Sequence, residues 1–482
     1  MQQPRANEAG SAFLITLIAL SLMSLLALYV SLNASTGLQI SDNYETQIQA
    51  TYAALAGLNH ARTLIRGLAL DALLQGPDGT HSIDPSYLAL ARTFGFRNPL
   101  SLTLAHSLNI LIPDLGAAAL PDDGLISTGF HGGSSGTLLI PADGIGLQSP
   151  NPYRTGLMMN SRYFVKVTDN NGEPSEIAGD PGDSPFVDGD GAVIVRSVGL
   201  AKTFLQRTGS VSRLNSVAIF EARFKRLSTF DAGPAIVVLG NIISSLFSGD
   251  YEISGDVFPG IGTIDPVPGD EIRPDQIIRA AVGVDGNITG AGEPAPSIRD
   301  ISGQIRSSRD QALLLNPAYL WNFVNTRAAR FADAVFHGDQ YWTDGNAPYI
   351  GAYDPSRPWN APGQDPIVTL VNGDLYWNGS LSGGGVLIVT GNLVCSGAYR
   401  YSGLVLVIGS GSLTADGSGL GIEGGTFVVR LQNQDGSIVF GIPEISVGGI
   451  SRFLANRDIV RMAVSLIPVS RTGFREIAGS DP

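Results

Sequence analysis

The chain has 482 residues, a net charge of −13 and only 15% charged residues. It has no Lys/Arg cluster to supply the basic footprint that a phosphate backbone requires, which excludes nucleic acid as a partner. Its single cysteine, Cys395, excludes an intrachain disulfide, and 60 glycines with 44% apolar residues point to many short strands and turns rather than to disorder.

Residues 1–10 form a polar leader that ends at Gly10. From Ser11 to Leu32 the sequence is apolar and uncharged. At about 1.5 Å per residue, a helix of that length covers about 33 Å, enough to cross a hydrocarbon core of about 30 Å. Three uses of the run compete: a cleaved secretory signal, a plain membrane anchor, and a helix kept after a cut between Gly10 and Ser11. A secretory signal has a core of about 7–15 residues, and this run is longer. Downstream patterning favours the kept helix. Leu38 to Gln75 contains no proline, and Ile40, Tyr44, Ile48, Tyr52, Leu55, Leu58, Leu64 and Leu68 recur at helical spacing. The sequence therefore predicts one transmembrane and amphipathic helix over 11–75. Arg5 before the run, with Asp42 and Glu45 beyond it, favours an N-terminus inside the cell.

The segment Gln49-Ala-Thr-Tyr-Ala-Ala-Leu-Ala-Gly-Leu-Asn-His-Ala61 resembles the matching stretch of PilX-type minor pilin-like proteins. Those proteins are similar to the K-type pseudopilins of general secretion. They typically lack Glu at the fifth mature position, where this chain has Ile15. The chain departs from the family at Leu55, where Glu is usual, and at Ala9, where a basic residue usually precedes the leader glycine. The resemblance implies cleavage by a prepilin peptidase between Gly10 and Ser11 and a membrane span from Ser11 to Leu32. It implies packing against other pilins or minor pilins through the helix, and contact with a tip adhesin. The implied location is the bacterial inner membrane, single-pass, with the N-terminus cytoplasmic and the head outside, and then the pilus or cell surface.

Further along, 76–230 reads as an α+β head. Tyr163–Val167, Ala192–Arg196 and Ser216–Ala222 alternate as strands of an antiparallel sheet on the exposed half of the helix. Between the first two lies an acidic stretch that includes Asp169, Asp180, Asp183, Asp188 and Asp190 and has no basic residue. Calcium takes six to eight hard oxygens from such loops, so these residues are a candidate calcium site. The alternative is a solvated loop rich in Asp/Gly turns. No other cofactor is expected.

The region 231–450 contains an internal repeat. Ala235-Ile-Val-Val-Leu-Gly-Asn-Ile242 matches Val386-Leu-Ile-Val-Thr-Gly-Asn-Leu393, and looser copies start at Ile367 and Leu404. Short strands turned by Gly and Asn predict a β-solenoid in which each turn is buried by its neighbours, with hairpins of a sandwich as the alternative. The first copy stands far from the others, which predicts an insertion over about 263–366, including a helical segment near Arg309 to Phe336. Residues 451–482 read as a cap helix, about Ile450 to Ala463, and a tail. Phe474-Arg-Glu476 is similar to the Trp-Arg-Glu ending of the resembled family.

Chemistry is sparse. The histidines show no metal-ligand spacing, and the glycine-rich stretches lack the lysine of a phosphate loop. Asp374, Arg400, Asp416, Glu423 and Arg430 are scattered through the repeats rather than recurring at turn spacing. The aromatic residues Tyr319, Trp321, Phe323, Tyr341, Trp342, Tyr376 and Trp377 read as core of the insertion and first returning turn, or as an exposed binding surface. The reading reached is an α+β chain with a β-rich C-terminal region, a non-enzymatic minor pilin-like subunit at a filament tip. The alternatives are a membrane-anchored envelope binding protein outside any filament and a glycan-active β-helix enzyme.

Overall fold

The computed structural model describes residues 6–68, 70, 130–131, 138–140, 145–147, 161–169, 188, 191–202, 215–226, 228–267, 269, 273–283, 286–290, 294–357 and 363–476. It is an α+β chain with an N-terminal apolar helix and a large, mostly parallel β-structure towards its C-terminal end.

Helix α1 runs unbroken from Ala6 to Ile65. It ends at Ile65, where Gly67 follows with a positive φ of 81°; residues 69 and 71–75 of the expected helix lie outside the described residues. A two-stranded antiparallel pair follows, β1 (Phe130–His131) with β2 (Leu138–Ile140). Strands β3 (Ile145–Leu147), β4 (Ser161–Asp169), β5 (Ala192–Lys202) and β6 (Asn215–Lys225) then form consecutive antiparallel neighbours. The expected strands at 163, 192 and 216 are β4, β5 and β6.

After β6 the chain winds into a coil. It passes through β7 (Ile236–Leu239), β8 (Ser244–Phe247), β9 (Glu252–Ser254) and β10 (Ile261–Ile264). Helix α2 (Pro274–Val282) follows, then β11 (Ile288–Thr289) and β12 (Ile298–Asp300). A helical segment leads out: α3 (Ser302–Ser307), a 3-10 turn (Gln311–Leu315), α4 (Pro317–Asn322), a π-turn (Phe323–Arg327) and α5 (Ala328–Phe331). The coil resumes at β13 (Ala334–His337) and β14 (Gln340–Trp342). It continues through β15 (Ile367–Asn372), β16 (Leu375–Asn378), β17 (Ser382–Val389), β18 (Leu393–Gly397), β19 (Arg400–Gly409) and the long β20 (Ser412–Gln434). A short β21 (Ser437–Phe440) folds back on β20, and β22 (Glu444–Ala455) closes the last turn. Helix α6 (Arg457–Ser465) and β23 (Ser470–Glu476) end the described chain.

Pairing between turns is parallel and falls into three rows. The first runs β13–β15–β17–β19–β20–β7–β10–β12. The second runs β14–β16–β18–β20–β22–β8, and the third β17–β19–β20–β22–β9–β11. A sandwich of hairpins requires antiparallel neighbours instead. In both the first and second rows the last turn of the chain, β20 and β22, lies against the first turn, β7 and β8. The chain therefore enters and leaves near the middle of the stack, and the segment 302–331 carries it from one end to the other.

The segment expected as an insertion already contains β11 to β14, so the coil resumes at Ala334 and not at Ile367. The expected cap helix is strand up to Ala455 and helix only from Arg457. Its apolar side, Ile459, Val460, Ala463 and Val464, joins the core cluster outside the first row with Leu404, Leu406, Phe427 and Val429. The first row is apolar on both faces, as a sheet covered on both sides requires. The helical segment and α6 therefore cover its side and do not close the end of the coil. Inside, Val238, Leu375, Leu387, Leu393, Val405, Leu413, Val428 and Ile445 fill the interior with Trp377, Tyr399 and Tyr401.

The Gly-Asp and Gly-Asn pairs of the repeat sit at the corner between the first and second rows. A Cβ on Gly391 would fall 2.4 Å from backbone atoms of Gly373, so successive corners approach too closely for any side chain there. The next residue links turns: Asp374 N–H donates to Asp339 Oδ1 (3.0 Å), and Asn392 N–H donates to Asp374 Oδ1 (2.7 Å).

The end of the chain returns to the first sheet. β23 pairs antiparallel with β6 and completes a five-stranded order β23–β6–β5–β4–β3. The whole coil is thus inserted between two neighbouring strands of one small sheet.

Candidate functional site: the N-terminal helix and its seat

No charged residue lies between Glu8 and Asp42. From Phe13 to Leu32 the large apolar side chains of α1 are exposed, and the helix is long and apolar enough to cross a membrane. Three of its hydroxyls bond within the helix: Thr16 to Ala12 O (2.9 Å), Ser21 to Leu17 O (2.9 Å) and Ser24 to Leu20 O (2.8 Å). The surface offered outward is therefore effectively apolar, as a bilayer or a helical partner requires. Gly10 and Ser11 lie within α1, whose helical backbone starts at Ala6.

The second half of α1 is seated on the sheet by small residues. Ala50, Ala53, Ala54, Leu58, Ala61 and Ile65 are buried against Val165, Val167, Val193, Val195, Ala218, Phe220 and Phe224. A Cβ on Gly199 would lie 2.0 Å from Ala50 O and 2.5 Å from Ala54 N, and one on Gly57 would lie 2.1 Å from Ser197 Oγ. Helix and sheet backbones thus meet with no room for a methyl. Of the residues at helical spacing, Leu58 is buried in this seat and Leu55, Leu64 and Leu68 pack beside it, while Ile40, Tyr44 and Tyr52 are exposed; alanines and a glycine make the closest contacts. Hydrophobic periodicity weights large residues, whereas close approach selects small ones.

Polar groups fix the seat. His60 Nδ1 lies 2.8 Å from the Tyr163 hydroxyl, and burial raises the pKa of that phenol. Arg226 Nη2 donates to Ile65 O (3.2 Å) and Leu68 O (2.8 Å), satisfying carbonyls at the helix C-terminus. Burial brings the Arg226 guanidinium down to about 10, opposed by the Asp188 carboxylate. Arg66 ties the same end to the coil through Leu466 O (2.8 Å) and Asp333 Oδ2 (2.7 Å). In the sheet, Glu221 bridges buried Arg196 Nε (2.7 Å) and Arg475 Nη2 (2.8 Å), the latter from β23. Phe474 stacks on Phe220 at 5.3 Å. The similarity noted at 474–476 is therefore the closing edge of the sheet.

Of the candidate calcium ligands, Asp169 ends β4 opposite Val193, and Asp188 Oδ1 accepts the Ala192 N–H (3.1 Å). Asp180, Asp183 and Asp190 lie outside the described residues. Among the described residues no group of three His, Cys, Asp or Glu side chains is arranged to hold a metal. The polar residues considered for catalysis are spread over the coil. Asp374 is in the corner ladder, Glu423 accepts from Asn456 (2.9 Å), and Arg430 pairs with Glu444 (3.2 Å). The aromatic residues split by strand alternation: Trp342 and Trp377 point inward, 3% and 1% exposed, while Tyr341 and Tyr376 stack outside. Cys395 is buried in the interior, which pushes its thiol pKa well up.

No protein-family model, no curated protein and no solved structure matches this chain significantly.

Sequence reasoning missed three parts of the site: the small-residue seat, the Arg226 cap and the closing strand β23. The first had a signal, since Ala50, Ala53, Ala54, Gly57 and Ala61 recur at threes and fours. The other two depend on residues more than 150 positions apart, as in the Arg226 bond to Leu68, and carry no local signal.

Proposed function

We propose that this chain is a non-enzymatic minor pilin-like subunit that takes part in assembly of a type IV pilus or pseudopilus, set at the filament tip. The observation that carries the reading is α1 itself. One continuous helix is exposed and uncharged from Phe13 to Leu32 and seated on an antiparallel sheet in its second half. A plain anchor needs only the first half. A filament subunit needs both, because the helix must bind its own head on one side and leave Ile40, Tyr44 and Tyr52 free for neighbouring helices.

In this reading the parallel coil is a β-solenoid carried as cargo between two strands of a pilin-like head. Because the chain enters and leaves the coil at adjacent turns, a large domain is added without disturbing the helix or its seat. Such bulk cannot repeat along a filament, which favours the tip and a role in starting assembly or presenting a surface to an adhesin. Prepilin peptidase would cut between Gly10 and Ser11, leaving the span from Ser11 to Leu32 in the inner membrane until assembly. The acidic stretch containing Asp169, Asp180, Asp183, Asp188 and Asp190 would take calcium as a structural ion.

The test is piliation after removal of the gene, with immunogold labelling of sheared filaments from the parent. Loss or shortening of pili and label confined to filament ends are expected. Normal piliation with all the protein retained in the membrane fraction would instead indicate an anchored binding protein.

A further inference from the structure

The two ends of the coil are finished differently. At the β12 end, α2 lies across the opening. Ile278 joins the interior core, and Arg279 donates to Pro296 O (2.9 Å) and to Ile298 O. Ile261 N–H donates to Ser297 O, so Ile298 faces away from the neighbouring turn, and its outward carbonyl is the one that Arg279 occupies.

The opposite end has no such cover among the described residues. There β13 pairs only with β15. Gly338 N–H donates to Asn372 O (3.0 Å) in the register that sets Ala334 opposite Thr369, so Ala334 and Phe336 face β15, and the N–H and C=O of Val335 and the N–H of His337 point away from the coil. The interior beneath is sealed, since Trp342 is buried against Phe336 and Trp377. What remains open is a backbone edge rather than an apolar hole.

Two further features bear on what this edge accepts. Tyr341, 61% exposed, lies flat on Tyr376 with centroids 4.6 Å apart and planes 1° from parallel. That is about the distance between strands, so the outer face of Tyr341 is the next step of the same ladder. The terminal turn, 334–353, also carries Asp339 and Asp344 and no Lys or Arg. Both carboxylates are held in line by backbone N–H groups of the next turn, Asp339 by Asp374 (3.0 Å) and Asp344 by Ser380 (2.5 Å). An acidic edge repels a second copy of itself and attracts a cationic strand.

We propose that the β13–β14 end accepts an extended, basic segment of a partner protein bearing an aromatic side chain, added as a further turn of the coil. Backbone bonds to Val335 and to the His337 N–H would provide affinity. Stacking on Tyr341 and charge against Asp339 and Asp344 would set register and choice of partner. The inference concerns the coil alone and holds whether or not the helix enters a filament.

The test uses the full chain in detergent and a labelled synthetic dodecapeptide that alternates Val with Lys and carries Tyr at the register of Tyr341. Fluorescence anisotropy should show saturable binding. Binding should be lost for a peptide with Pro at alternate positions and weakened when Glu replaces Lys. Val335→Pro, which removes one outward N–H and spares the bonds to β15, should abolish binding. Tyr341→Ala should weaken it about three- to ten-fold. Unchanged melting of both variants shows that the coil is intact. Equal binding of the proline peptide, no effect of Val335→Pro, or no saturation up to about 1 mM overturns the proposal. So does a dimer of the parent protein that Val335→Pro dissolves, since that assigns the edge to a second copy.

Discussion

Replacing Gly199 by Ala tests the seat of the helix at its tightest point. The added methyl carbon would sit 2.0 Å from Ala50 O and 2.5 Å from Ala54 N, both backbone atoms of α1. No side chain can rotate away to make room, so helix and sheet must separate by about 1 Å or more. Overpacking of this kind costs about 1–3 kcal/mol. A radial gap of about 0.5–1 Å also forfeits a quarter to a half of each dispersion contact along the seat. Together these place the loss near about 3 kcal/mol, or about a hundred-fold in the opening equilibrium of the sheet. Hydrogen exchange of β4–β6 amides reads this locally, which matters in a chain whose described residues form three core clusters. Gly37→Ala is the matched control, because nothing lies within 4 Å of a Cβ there. It should leave exchange in the sheet unchanged and favour the helix by about 1 kcal/mol. If Gly199→Ala exchanges like the parent, helix and sheet do not meet as described.

Three further predictions follow from other parts of the structure. Glu221→Gln leaves the buried Arg196 guanidinium without its counter-charge and should destabilise the sheet by about 3 kcal/mol in denaturant unfolding. Arg475→Ala removes a largely exposed partner and should cost under about 1 kcal/mol. Trp377→Ala empties the interior of the coil and should cost about 3–5 kcal/mol by thermal melting, whereas Tyr376→Ala, one residue away on the outside, should cost under about 1.5 kcal/mol. Cys395, buried and with its thiol held protonated, should not react with a maleimide at neutral pH until denaturant is added.

Much of the architecture is legible in the residues, and the parts that are not share one cause. The uncharged run from Ser11 marks the helix by composition, and alternation at Tyr163, Ala192 and Ser216 marks the strands. The Gly-Asn corners after Leu239 and Thr390 mark the turns, because close corners exclude side chains and the Asn or Asp binds the next turn. All of these are local. The docking of β20 on β7 is not, since each strand is an equally good neighbour by pattern and only the path of 302–331 decides which edges meet. β23 is likewise hidden: Ser470–Glu476 has little apolar alternation, and it is held by pairing with β6 and by the Arg475–Glu221 bond. At the candidate site, the apolar span was readable, and of the residues at helical spacing Leu58 joins the seat while Ile40, Tyr44 and Tyr52 stay exposed. Residue size dominates a hydrophobic pattern, but the closest contacts are set by backbone approach at Gly199 and by the Ser197 and Tyr163 side chains against Gly57.

The most direct test of a retained, assembly-competent helix is N-terminal sequencing of the protein extracted from membranes of cells with an active prepilin peptidase. A sequence beginning Ser11-Ala-Phe-Leu-Ile is expected. A protein that still begins at Met1 in those cells would contradict the pilin-like reading and leave a membrane-anchored binding protein in its place.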